Sequence, residues 1–142
     1  MWLLRSRVDC STAAVVYHIH CPCNAVTEGE GVRPAGLTGT DYVGSAKHSM
    51  KRRFTQHRSD FRLAKWTACG LTRHFEQHHQ QDIEGAIANL QVTILDQLHG
   101  PYSEERLHRL EQLWMHRLST TYTGCNSRLE LTTSSRRNWG SS

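Results

Sequence analysis

The chain has 142 residues, with 17 Lys and Arg against 13 Asp and Glu, ten His and five Cys, for a formal net charge of +4. This length buries the core of one domain without a disulfide scaffold, and no apolar run approaches the roughly 20 residues of a bilayer-spanning helix. The apolar start Met1-Trp2-Leu3-Leu4 is too short for a signal-peptide core, and an irregular set of five cysteines suits a reducing compartment and a metal better than disulfides.

Residues 1–12 read as an N-terminal extension, 13–126 as one domain and 127–142 as a Ser/Gly-rich tail. Ala13 to Ile19 is rich in β-branched and aromatic residues and predicts a strand with Val15, Tyr17 and Ile19 on one face and Val16, His18 and His20 on the other. Cys21-Pro22-Cys23 and a glycine-rich loop follow, and Tyr42-Val43-Gly44 predicts a second strand hairpinned to the first. Ser45 or Ser49 can cap a helix running to about Leu63. Its apolar positions Met50, Phe54 and Phe61 leave one place in the stripe to His57.

A histidine-rich stretch, His74-Phe75-Glu76-Gln77-His78-His79, precedes a third strand predicted over Asn89–Leu95, with Leu90, Val92 and Ile94 on one face. A helix is predicted from Glu104 to Leu118, its two leading glutamates suiting the positive end of the helix dipole. Leu107, Trp114 and Leu118 form its expected stripe, and Glu111 occupies the remaining place. A carboxylate there needs a surface position, a basic partner or a metal, because an unsatisfied buried polar group costs about 1–3 kcal/mol and a charge more. The order strand, strand, helix, strand, helix implies an α+β fold: a small central antiparallel three-stranded sheet flanked by helices.

Charge is unevenly spread. Lys47, Lys51, Arg52, Arg53, Arg58, Arg62, Lys65 and Arg73 are opposed within their segment only by Asp60, which leaves the rest of the chain net acidic. A basic block beside an acidic body favours a phosphate-backbone partner; a solvated helix face is the ordinary alternative.

Tyr42-Val43-Gly44-Ser45-Ala46-Lys47, followed by Arg53 and His57 on a helix, resembles the GIY-YIG nuclease family. Val15-Val16-Tyr17 stands for the first half of the family name, Glu111 with Trp114 for its metal-binding glutamate and following aromatic, and Gly124-Cys125-Asn126 for its terminal asparagine. Within the family the chain is most similar to the endonuclease domains of Penelope-like retroelements, which carry paired cysteines between the two tyrosine elements and histidines after the first helix. Val15-Val16 in place of Gly-Ile and the tight Cys-Pro-Cys spacing depart from the pattern.

The resemblance implies a metal-dependent DNA endonuclease of mobile-element origin. Its catalytic set would be Tyr17, Tyr42, Arg53, His57, Glu111 and Asn126, with Mg²⁺ (or Mn²⁺) on Glu111. Tyr42 would act as general base, made acidic by Arg53 and Lys47, with Tyr17 orienting it. It also implies a structural Zn²⁺ on Cys21, Cys23, His74 and His79, with His78 competing for the last place and His18 or His20 able to replace a cysteine. Lys47, Lys51, Arg52, Arg58 and Arg62 would contact DNA. A reverse transcriptase or other element-encoded protein would be a partner, no membrane is implied, and residence would be nuclear or cytoplasmic. The alternative is a catalytically silent nucleic-acid-binding module that keeps the fold and the zinc.

Overall fold

A computed structural model describes residues 13–23, 40–120 and 124–126 and the backbone of Trp2–Leu3. The glycine-rich connection, Cys10 and the tail from residue 127 lie outside the described residues. The element order is β1 (Trp2–Leu3), β2 (Val15–Cys21), β3 (Thr40–Ala46), α1 (Met50–Arg62), α2 (Gly70–His78), α3 (Ile83–Asn89), β4 (Gln91–Gln97) and α4 (Glu104–Leu118). The fold is α+β. β3, β2 and β4 make a three-stranded antiparallel sheet with β2 at its centre, and β1, from the segment expected to be an extension, adds a short parallel strand beyond β4.

β2 can be central because both of its faces are apolar where helices cover them. Val15, Tyr17, Ile19 and Cys21 pack with Met50, Phe54, Phe61, Leu71 and Phe75, so α1 and α2 cover one face. Val16 and Val43 pack with Leu107 and Met115 of α4 on the opposite face. Each large apolar side chain buried this way contributes about 1.5–3 kcal/mol. The β2–β4 pairing shifts register between Val16 and Tyr17. This bulge turns both Leu95 and Asp96 toward α4: Leu95 joins its apolar cluster and Asp96 accepts the Trp114 indole N–H at 3.1 Å.

Three expectations are corrected. Two helices, α2 and α3, lie between α1 and β4 where none was predicted. The buried side of α2 includes Thr72 and His74, and α3 buries only Ala86, so neither shows an apolar stripe in sequence. The third strand begins and ends two residues later than expected, at Gln91 and Gln97. The buried stripe of α4 is Leu107, His108, Glu111 and Met115, with Trp114 half-buried and Leu118 37% exposed. Steps of four from Leu107 place Met115, not Trp114, over the sheet. Of the two serines offered as caps for α1, Ser49 accepts the Arg52 amide at 3.1 Å.

Candidate functional sites

Tyr17 and Tyr42 stand on adjacent strands and share the face covered by α1. Gly44 is the register partner of Tyr17, and the Tyr17 ring lies across it. A Cβ at position 44 would meet the Tyr17 hydroxyl, lie 2.6 Å from Tyr17 Cζ and 2.9 Å from Tyr42 Cε2. Glycine is therefore required by close approach, not by backbone conformation.

Arg53 and His57, one turn apart on α1, reach the same phenol. Arg53 Nε donates to the Tyr17 oxygen at 3.3 Å, and that oxygen lies 2.6 Å from His57 Nε2. The Tyr17 O–H donates to His57 Nε2, which places the imidazole proton on Nδ1, an atom with no partner among the described residues. Burial, and then the charge of Arg53, hold His57 well below its ordinary pKa, so it is neutral at pH 7. Burial also pushes the Tyr17 phenol above its ordinary range; Arg53 pulls it down by charge and hydrogen bond without cancelling that effect. Tyr17 thus keeps its proton at neutral pH in this closed arrangement. The Lys47 ammonium lies 5.4 Å from the centroid of the Tyr102 ring.

Glu111 lies elsewhere. It is fully buried on the α4 face, where Ser45 Oγ donates to Oε1 at 3.0 Å and His108 Nδ1 lies 3.6 Å from Oε2. Gly44 and Ser45 are consecutive, so strand alternation puts the Tyr17 hydroxyl and Glu111 on opposite faces of β3. The two remain coupled through space, since the charge of Glu111 is among the causes raising Tyr17. One carboxylate is a hard oxygen donor of the kind Mg²⁺ takes, and that ion commonly keeps several waters and draws other ligands from phosphate. His108 and Ser45 were not singled out in the sequence. The signal for His108 was its place three residues before Glu111 on the same helix face.

Asn126 binds the backbone of β3. Its side chain accepts from the Val43 amide at 2.7 Å and donates to the Val43 carbonyl at 2.9 Å, while the Cys125 amide donates to the Asp41 carbonyl at 2.9 Å. The segment thereby closes the outer edge of β3 as a further strand would. Replacing Asn126 with Ala orphans a buried amide and carbonyl, and is expected to cost about 2–6 kcal/mol at 1–3 per group. Urea denaturation checks this, and a loss under 1 kcal/mol would refute the edge role.

The four residues expected to hold zinc converge. Cys21 ends β2, Cys23 follows it, His74 lies on α2 and His79 terminates that helix, and one donor atom from each lies within 4.8 Å of all the others. Cys21 Sγ is 3.3 Å from His79 Nε2, Cys23 Sγ is 3.4 Å from His74 Nε2, and the two Nε2 atoms are 3.1 Å apart. Tetrahedral zinc with Zn–S near 2.3 Å and Zn–N near 2.0–2.1 Å requires ligand–ligand edges of about 3.3–3.8 Å. The donor set fits a metal such as zinc. His79, not the exposed His78, occupies the fourth place.

His18 and His20 are engaged otherwise, each 2.8 Å from Asp41 Oδ1. Burial favours the neutral Asp41, but the hydrogen bonds from His18 and His20 outweigh it and hold the carboxyl below the usual range. A depressed folded pKa makes the contribution complete above about pH 4, and lost as pH falls through the folded value. Between pH 5 and 2.5 the native chain should lose about 1–2 kcal/mol more stability than Asp41→Asn, after allowance for partial exposure. Equal losses in denaturant titrations would contradict the assignment.

Of the basic candidates, Lys51 and Arg52 are exposed on the first turn of α1, and Arg58 stacks 5.3 Å from the centroid of the Phe54 ring. Arg62 is held by both carboxylate oxygens of Glu84 at 2.7 Å. No known family model, curated protein or solved structure matches the chain.

Proposed function

We propose that the chain is a metal-dependent DNA endonuclease of the GIY-YIG kind, derived from a mobile element and carrying a structural zinc. The observation that carries this reading is the chain of hydrogen bonds from Arg53 to Tyr17 to His57, with Tyr42 edge-on to His57 at 5.9 Å between ring centroids. Arg53 offers a planar cationic fork for a phosphate. The exposed Lys51 and Arg52 extend positive charge from it along the DNA backbone. A phosphate bound at the Arg53 fork that admits water relieves the burial that keeps Tyr17 protonated. With Arg53 still beside it, the phenol then gives up its proton more readily, which makes its phenolate available to the reaction.

Neutral His57 holds the phenol in line, and its own protonation is opposed by Arg53. Glu111 would hold Mg²⁺ or Mn²⁺, an ion whose chemistry is charge stabilisation of a phosphate and a more acidic bound water. Cys21, Cys23, His74 and His79 would hold Zn²⁺ as a closed four-ligand site with no open position for chemistry.

One observation favours the second reading, a silent nucleic-acid-binding module: Tyr17, His57 and Glu111 are all 0% exposed. Supercoiled plasmid with Mg²⁺ separates the two. Nicking by the native chain that falls at least about 100-fold in Glu111→Ala supports the nuclease. Salt-dependent DNA binding without nicking supports the silent module.

A further inference from the structure

Five rings run from the phenol to the metal cluster. Tyr17 is edge-on to His57 at 75°, and His57 stacks on Phe61 at 14° with 6.1 Å between centroids. Phe61 stacks on Phe75 at 7° and 3.9 Å, and Phe75 meets His79 edge-on at 5.1 Å. His74, the other imidazole of the cluster, touches Phe75 at 6.3 Å. All but His79 are fully buried.

This arrangement settles how the His57 ring is oriented. A histidine that must present one nitrogen is commonly held by a hydrogen bond on the other. His57 Nδ1 has no such partner among the described residues. Its ring plane is set instead by packing: parallel to Phe61, and edge-on to Tyr17 and Tyr42. Phe61 in turn takes its plane from Phe75, one position along α2 from His74 and one turn before His79. An aliphatic side chain of similar size could fill the Phe61 space, but it offers no flat face to hold a plane.

We propose that Phe61 and Phe75 are positioning residues that set the His57 ring against Tyr17, and that metal binding at Cys21, Cys23, His74 and His79 is coupled through them to that hydrogen bond. The catalytic meaning rests on the endonuclease reading; the coupling does not. It is reciprocal, so loss of the Tyr17–His57 hydrogen bond must alter metal affinity by the same factor that metal occupancy alters that bond.

The test is a double-mutant cycle on Co²⁺ affinity, followed by thiolate-to-cobalt absorption, in the native chain, Tyr17→Phe, Phe61→Leu and the double variant. Tyr17→Phe removes one hydroxyl distant from every metal ligand. Coupling predicts at least a five-fold weaker Co²⁺ affinity in Tyr17→Phe and less than a two-fold further effect of that change in the Phe61→Leu background. Equal effects in both backgrounds, or none in the native one, overturn the proposal. If Phe61→Leu fails to fold, His57 ring resonances of the Zn²⁺ protein and of the protein with a Cys23→Ser site decide. A His57 shift on loss of that ligand sustains the coupling, and unchanged resonances refute it. Absence of plasmid nicking alongside intact coupling rejects the nuclease reading alone. In a nicking-competent chain, Phe61→Leu should lower kcat about ten-fold with KM for DNA within two-fold, a split that mere loss of folded protein or of DNA contacts would not produce.

Discussion

Chelating the metal from the Cys21, Cys23, His74 and His79 cluster lowers the midpoint of thermal unfolding by about 10 °C or more. A ligand bound at 1,000 times its dissociation constant contributes about 4 kcal/mol, and each kcal/mol is worth about 2–4 °C in a domain of this size. The position of the cluster makes the effect global. Cys21 is the last residue of the central strand and His79 the C-cap of α2, so an ion held there would tie sheet to helix across a separation of 58 residues. Cys23→Ser should reproduce the chelated midpoint, and chelator should then have no further effect. Affinity should weaken as pH falls, because binding displaces protons from both thiols. Identical midpoints with and without chelator would remove the metal from the account of stability.

Gly44→Ala is the second large effect, and it needs no ligand. The added methyl would overlap the Tyr17 ring and press on Tyr42, both buried and both anchored on the same sheet. Neither ring can retreat into solvent. The space behind Tyr17 is filled by His57, which leans on Phe61. Overpacking alone costs about 1–3 kcal/mol, and breaking the buried Tyr17–His57 hydrogen bond adds a comparable amount, for about 3–4 kcal/mol in all. Urea denaturation measures the first consequence, and loss of plasmid nicking at temperatures where the variant remains folded measures the second. A variant within 0.5 kcal/mol of the native chain would mean that the tyrosine does not lie over the glycine.

Much of the sheet was legible from local pattern. Alternation along Val15–Ile19 assigned both faces of β2, because a strand buried on both sides must be apolar on both wherever helices cover it. His57 and Glu111 stood out for a related reason, each being a polar residue at an apolar position of a helix, and both are fully buried. The metal ligands were named only through resemblance. Periodicity carries no sign that residues 21 and 79 meet, since their approach depends on α2, whose stripe is broken by Thr72 and His74.

Residue type and spacing by themselves determined that Val15, Tyr17 and Ile19 share one face of their strand, that Arg53 and His57 lie one turn apart on one helix, and that a basic segment starts α1. These are consequences of periods of 2 and 3.6, which any chain in those conformations obeys. The tertiary structure alone decided which face of β3 receives Glu111, what partners it there, where Asn126 goes, and that a column of rings joins His57 to the metal cluster. Those outcomes depend on how separate elements stack across the sheet. Side chains far apart in sequence become neighbours only after the core has chosen one packing, and no local period encodes that choice.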